Sequence, residues 1–271
     1  MLISKLFQYK EYYLRHVRNI LISLMFVSCS YNTPGLIEHS GENARIRHGE
    51  YIIDANIWNI QAITGKWEQT IFYDTIKGNM GWRWDYSGEE DKAGSFNVKT
   101  FPEIIFGKKP YDGYESTSSS LPVKLTSAHF NLEYIYSANA SGVYNTTTDL
   151  SFTDSSNPGP SNIRAKMMIW FDHQNFPFFE NENLKNAEID KIQYKIYIDT
   201  TYTGPEGKWN FIALLPDNFP SKGIVNFNEY FDYLLSVGAL KPDWFLSSIE
   251  IGSEISSGKG EVRFDHFIVN Y

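Results

Sequence analysis

Ile189-Asp190-Lys191-Ile192-Gln193-Tyr194-Lys195-Ile196-Tyr197-Ile198-Asp199 alternates apolar and polar side chains. Ile192, Tyr194, Ile196 and Ile198 fall on one face; Lys191, Gln193, Lys195 and Asp199 fall on the other. A period of two is the signature of a strand with one buried face, so residues 189–199 are read as one strand of an antiparallel sheet. Outward from there the same texture continues. Trp209 to Leu215 and Val262 to Tyr271 read as further strands, and turn clusters punctuate the chain at Ser87-Gly88, Gly113, Asn157-Pro158-Gly159-Pro160, Thr203-Gly204-Pro205 and Ser257-Gly258-Lys259-Gly260. One segment breaks the pattern. Phe227, Tyr230, Phe231, Leu234 and Leu235 recur at helical spacing behind Asn226, a plausible N-cap, with Glu229 placed for a capping box and Gly238 near the end. No internal repeat is visible. From about residue 50 onward the chain reads as a many-stranded all-β sandwich carrying one α-helix.

The chain has 271 residues and 16% aromatics, enough for one large β domain with an extended core. The formal net charge is -8, and no basic stripe follows the N-terminus. Nucleic acid is a poor partner for such a surface, and a neutral or cationic ligand fits it better. The single cysteine, Cys29, excludes a disulfide framework. The six histidines show no HxH or HExxH spacing, so neither a metal nor a cofactor is expected.

Lys5, Lys10, Arg15 and Arg18 precede the nine-residue apolar run Ile20 to Ser28. That run is too short to span a bilayer, which takes about 20 residues. A basic segment followed by a short apolar one is the pattern of an export signal. The run stops at Cys29 in Phe26-Val27-Ser28-Cys29, which resembles a bacterial lipobox with Cys29 as the lipidated residue. Residues 1–28 are therefore read as a lipoprotein-type signal peptide, and residues 29–49 as a polar, flexible tether. Residues 50–271 form the domain. The expected location is the bacterial cell envelope or surface, with contact to membrane through the lipid anchor only.

Two segments carry a resemblance. Lys166-Met167-Met168-Ile169-Trp170 and Gly252-Ser253-Glu254 resemble the two catalytic strands of glycoside hydrolase family 12, which read Glu-x-Met-x-Trp and Gly-Thr-Glu. Asn56-Ile57-Trp58, Gly81-Trp82-Arg83-Trp84, the block Phe101 to Pro110, Leu121-Pro122-Val123 and Thr148-Asp149-Leu150 resemble further motifs of that family, in family order. The helix and Trp244-Phe245-Leu246 follow in the same order. The resemblance covers nearly all of residues 50–271. It implies a concanavalin-like β jelly roll of two packed antiparallel sheets with a concave cleft, and retaining endo-glucanase activity on β-1,4-glucan, mixed-linkage glucan or xyloglucan.

By resemblance Glu254 stands at the acid/base position, and Lys166 stands where the nucleophilic Glu belongs. A retaining glycosidase needs two carboxyl groups roughly 5 to 5.5 Å apart, one as nucleophile and one as proton donor. A protonated lysine has no lone pair to attack with. Lys166 is expected to bridge Glu254, Asp149 or both, and to lower the pKa of Glu254. Two arrangements would restore hydrolysis. Asp149 could act as the base of an inverting pair about 6.5 to 9.5 Å from its acid, or Glu250 could be recruited. Asn56, Trp58, Trp82, Met168 and Trp170 are the candidate substrate-binding residues, with the tryptophans as sugar platforms. Asn59 replaces the family's usual Gly beside Trp58, and Gly252 is read as making room for substrate. Trp67, Trp209 and Trp244 are assigned to the core. The expected function is a cell-envelope protein acting on β-glucan, with hydrolysis impaired or altered by Lys166. The alternative is a non-catalytic glycan-binding surface lipoprotein.

Overall fold

The computed structural model describes residues 34–88, 97–111, 113–179, 184–204 and 207–271. The signal-like segment and Cys29 lie outside the described residues. In chain order the strands are β1 (Leu36–Ser40), β2 (Arg45–His48), β3 (Tyr51–Asp54), β4 (Glu68–Asp74), β5 (Met80–Tyr86), β6 (Glu103–Gly107), β7 (Val123–Lys124) and β8 (Asn131–Thr153). Then come β9 (Ile163–Gln174), β10 (Lys185–Ile189), β11 (Ile192–Asp199), β12 (Thr203–Gly204), β13 (Gly207–Lys208), β14 (Asn210–Pro216) and β15 (Lys222–Asn226). The helix α1 (Phe227–Ser236) precedes the last strand, β16 (Phe245–Asn270).

Fourteen strands join one hydrogen-bonded network, and two long strands fold it into two layers. β8 has 23 residues and β16 has 26, and they pair antiparallel from Phe245↔Thr153 to Asn270↔Asn131. The first half of β16 and the second half of β8 lie in an inner sheet ordered β2-β3-β6-β16-β8-β9-β14-β11-β10. Their other halves lie in an outer sheet ordered β1-β4-β5-β16-β8-β15. This is the jelly roll implied by the resemblance, except that β14 pairs with β9 in parallel, from Asn210↔Ala165 to Leu214↔Ile169.

The strands change layer where the ladder slips between Ile255 and Ser257. Gly142 and Gly258 face each other there, with φ of 120° and 89°. A Cβ on Gly258 would stand 1.9 Å from the Ser141 carbonyl oxygen, so both the backbone angle and the approach demand glycine.

The core lies between the layers. Trp82, Trp84 and Tyr86 of β5 alternate inward with Arg83 and Asp85 outward, and they meet Leu150, Phe152, Met167, Ile169, Ile249 and Ile251 from the inner sheet. Helix α1 covers one end with Phe227, Tyr230, Phe231 and Leu234. Its Asn226 cap accepts the N–H of Asn228 at 3.2 Å, a single local bond in place of the reciprocal pair with Glu229 that the spacing predicts.

Two sequence expectations are corrected here. The sheet starts at Leu36, inside the segment read as tether: β1 pairs with β4 from Leu36↔Asp74 to Ser40↔Thr70, and β2 pairs with β3. These are edge strands that bury almost nothing, since β1 is exposed along most of its length and β2 buries only Ile46. Strands without a buried face leave no hydrophobic period to read. Second, residues 189–199 are not one strand. Asp190 and Lys191 take φ of 50° and 65° and turn the chain between β10 and β11. Two consecutive positive φ values mark a type I′ hairpin turn, whose usual Asn-Gly signal is absent here.

Candidate active site

Three neighbouring strands of the inner sheet build the site. Glu250 of β16 is opposite Asp149 of β8, which is opposite Met168 of β9. Glu254 is opposite Asn145, and Lys166 is opposite Ser151. Because side chains alternate, Met167 and Ile169 enter the core while Lys166, Met168 and Trp170 turn to the other face. On that face lies a cleft of about 490 Å³. Its lining includes Asn56, Trp58, Lys109, Tyr111, Tyr114, Asp149, Lys166, Met168, Tyr202, Trp209, Phe211 and Glu254.

Lys166 Nζ donates to Asp149 Oδ2 at 2.8 Å and sits 5.0 Å from the centre of the Tyr111 ring. Burial opposes its charge, but Asp149, Tyr111 and Glu250 outweigh that and hold its pKa well above the ordinary lysine value. Lys166 is therefore an ammonium, locked on Asp149. The other oxygen of Asp149 is buried with no hydrogen-bond partner.

Glu254 has a different environment. Asn145, itself fully buried, donates through Nδ2 to Glu254 Oε2 at 2.6 Å and accepts the Glu254 backbone N–H at 3.2 Å. Burial raises the Glu254 pKa to about 7; Asn145 lowers it, Asp149 raises it, and Lys166 contributes a smaller lowering. The sequence expectation was the reverse, a pKa lowered by Lys166. The correction has a simple cause: the ammonium is aimed at Asp149, and desolvation of the carboxylate dominates.

Beneath these groups lies a charged layer in which Lys109 and Glu103, given no role from sequence, join Glu250. Lys109 pairs with Glu103 and, at 3.3 Å, with Glu250. Both carboxyl groups are fully buried. Burial, Glu250 and Asp54 push the Glu103 pKa well up against the pull of Lys109. Burial acts the same way on Glu250, but Lys109 and Lys166, with hydrogen bonds from Glu103 and Ser248, bring its pKa below the ordinary glutamate value. Burial raises the Asp149 pKa as well, against the pull of Lys166, so Lys109 and Lys166 stand among three buried carboxyl groups, Asp149, Glu103 and Glu250. Among the described residues no cluster of His, Cys, Asp and Glu is arranged to hold a metal ion.

No family model matches the chain. It is 25% identical over 256 residues to Endoglucanase S of Pectobacterium parmentieri, covering 93% of this chain and 91% of that one. Its structure matches a native family 12 xyloglucanase from Bacillus licheniformis with a TM-score of 0.76 and 23% identity, over 86% of this chain and 99% of that one. An endoglucanase from Rhodothermus marinus matches with a TM-score of 0.68 and 20% identity, over 86% and 98%. The xyloglucanase domain of NopAA from Sinorhizobium fredii, in complex with cellobiose, matches with a TM-score of 0.62 and 17% identity, over 85% and 98%. The chain has the fold of glycoside hydrolase family 12.

Within that family 12 fold, the residues singled out from sequence do not all gather at the cleft. Glu254, Lys166, Asp149, Met168, Asn56 and Trp58 line it. Trp58 is 57% exposed, an indole open to solvent beside the floor. Asn56, at φ 40°, spends its side-chain N–H on Glu103 Oε1 at 2.7 Å. Trp82 is corrected to the core: it is fully enclosed, and its Nε1 donates to Ser253 Oγ at 3.1 Å. Trp170 is on the cleft side of β9, yet Phe176 and Phe178 cover it, so no ring face is open. Gly252 does not clear a path for substrate. A Cβ there would meet the Pro102 carbonyl oxygen at 2.7 Å and the Phe101 ring at 2.8 Å, so its place is taken by protein. Trp209, assigned to the core from sequence, lines the cleft. Glu103 carried one overlooked signal: charged residues inside apolar runs such as Phe101-Pro102-Glu103-Ile104-Ile105 and Ile249-Glu250-Ile251 mark a strand whose second face is not core, whereas Lys109 and Tyr202 lie outside any such run.

Proposed function

We propose that this chain engages β-1,4-linked glucan in the cleft over β16, β8 and β9, as a family 12-type glucanase or xyloglucanase whose two-step hydrolysis is impaired. The observation that carries the reading is the open indole of Trp58 beside a floor that presents Glu254 with a pKa of about 7. Pyranose rings have apolar faces that stack on such a ring, and a carboxyl group of that pKa holds a proton for a leaving oxygen near neutrality. The relatives named above include endoglucanases and xyloglucanases, and one structure holds cellobiose.

The attacking carboxylate is the missing part. Lys166 occupies its position as an ammonium bound to Asp149. Asp149 is a weak candidate for the base of an inverting pair while one oxygen accepts from Lys166. Glu250 is fully enclosed and bound by Ser248 and Lys109, which removes it from reach of a sugar. The same ion pair favours the second reading, a non-catalytic glycan-binding protein. In either case the basic and apolar N-terminal pattern ending at Cys29 supports export and lipid anchoring at the cell envelope.

Affinity electrophoresis in xyloglucan and barley β-glucan tests binding, and reducing-end release tests hydrolysis. Retardation is expected in at least one gel, with little or no release of reducing ends by the wild type. Lys166→Glu puts a carboxylate at the position that the resemblance gives to the nucleophile and is expected to raise release, and adding Glu254→Gln is expected to abolish the gain. Free migration in both gels would refute the glucan reading, and vigorous wild-type release insensitive to Glu254→Gln would refute the assignment of the acid.

A further inference from the structure

The sequence reading gives Tyr202 no role, yet the fold holds it in a defined place at the cleft. Tyr202 is 38% exposed and lines the cleft directly. Its ring lies 5.1 Å from that of Trp209 and 5.3 Å from that of Phe211. The backbone leading to it is fixed, because Asp199 Oδ1 accepts both the N–H of Thr201 at 2.7 Å and its hydroxyl at 2.8 Å. The Trp209 N–H donates to the Tyr202 carbonyl at 3.2 Å. The short hairpin β12–β13 then closes against the indole. A Cβ on Gly204 would stand 1.8 Å from Trp209 Cη2, so only glycine lets the hairpin lie flat on that ring. An exposed aromatic side chain on a braced segment, backed by two further rings, is a preorganised contact surface.

Position gives that surface a meaning. Trp209 leads into β14, while Trp58 follows β3, and its neighbour Asn59 donates to the carbonyls of Val98 and Lys99. In the inner sheet β3 reaches β16 through β6, and β14 is separated from β16 by β8 and β9. Three strand spacings between β16 and β14 amount to about 14 Å. Trp58 and Tyr202 therefore stand on opposite sides of the Lys166–Asp149 pair.

We propose that Tyr202, on its bed of Trp209 and Phe211, is a second pyranose-stacking platform. The cleft then takes a run of several β-linked sugar rings that crosses the ion pair from Trp58 to Tyr202. This inference rests on the glucan reading and adds the length of ligand and the residue that sets it.

The test is calorimetric titration of the full chain with cellotriose and cellohexaose. Tyr202→Leu keeps an apolar cover on Trp209 and removes the flat ring, so it isolates stacking from folding. It is expected to weaken cellohexaose binding about tenfold, the size of one good anchor contact, and to leave cellotriose within about twofold. Tyr202→Phe is expected to bind both sugars as the wild type does. Unchanged cellohexaose binding in Tyr202→Leu, or an equal loss for both sugars, overturns the second platform while leaving the glucan reading intact. A wild type that binds neither sugar overturns both.

Discussion

The two faces of β9 are built from consecutive residues and obey different rules. Met167 and Ile169 point into the sandwich, are fully enclosed and belong to the apolar core. Lys166, Met168 and Trp170, one residue out of step, point to the cleft, where Lys166 is nearly as enclosed but meets charge. β16 repeats the contrast, with Ile249 and Ile251 inward and Glu250 and Glu254 outward. The inner sheet thus has a dry face stabilised by packing and a second face on which Lys109 and Lys166 are paired with buried carboxyl groups. A buried ion pair contributes little net stability, while the loss of one member leaves an uncompensated charge. Stability should therefore respond to truncation on one face and to charge removal on the other.

Lys109→Met sharpens that contrast most. It leaves the Glu103–Glu250 pair without its cation and is expected to cost about 3 to 5 kcal/mol in denaturant unfolding. A loss below about 1 kcal/mol would break the claim that the charged face depends on pairing. On the dry face, Ile169→Ala should cost about 2 to 4 kcal/mol through lost burial and a residual cavity, with no dependence on pH or salt.

Acidity separates the faces next. The Glu254 pKa rises from 4.5 toward about 7 on folding, so the folded state binds its proton more tightly than the unfolded state. The stabilisation is present below pH 4.5 and is lost as pH rises to about 7, with a slope of at most about 1.4 kcal/mol per unit and roughly 3 kcal/mol in all. Glu254→Gln should flatten that part of the stability profile, and an unaltered slope would remove the assignment. The smallest effect is at the rim. Trp58→Ala should change stability by less than about 0.5 kcal/mol because the indole is 57% exposed, while weakening glucan binding. A large stability loss would make Trp58 a packing residue.

The same contrast explains what the sequence revealed. Strand periodicity and the ordered motifs from Asn56 to Glu254 were enough to place the jelly roll, the helix and the strands that carry Lys166, Asp149 and Glu254. Exposure was not legible. Trp58, Trp82 and Trp170 look alike in sequence, and only packing shows that one ring is open, one is in the core and one is covered by Phe176 and Phe178. The partner of Lys166 was among the expected ones, but the direction of the Glu254 shift was not, because desolvation depends on the walls of the cleft. Glu103, Lys109 and Glu250 assemble from residues up to 147 positions apart, through pairing of β6 with β16. Edge strands β1 and β2 bury too little to leave a pattern.

Long strands shared by both layers have a consequence for how the molecule comes apart. β8 and β16 stay paired on both sides of the register slip at the glycine corner, so neither layer has a complete set of backbone partners without the other. Melting should proceed as one cooperative event, with amides on either side of Gly142 and Gly258 exchanging with deuterium at a common, slowest rate.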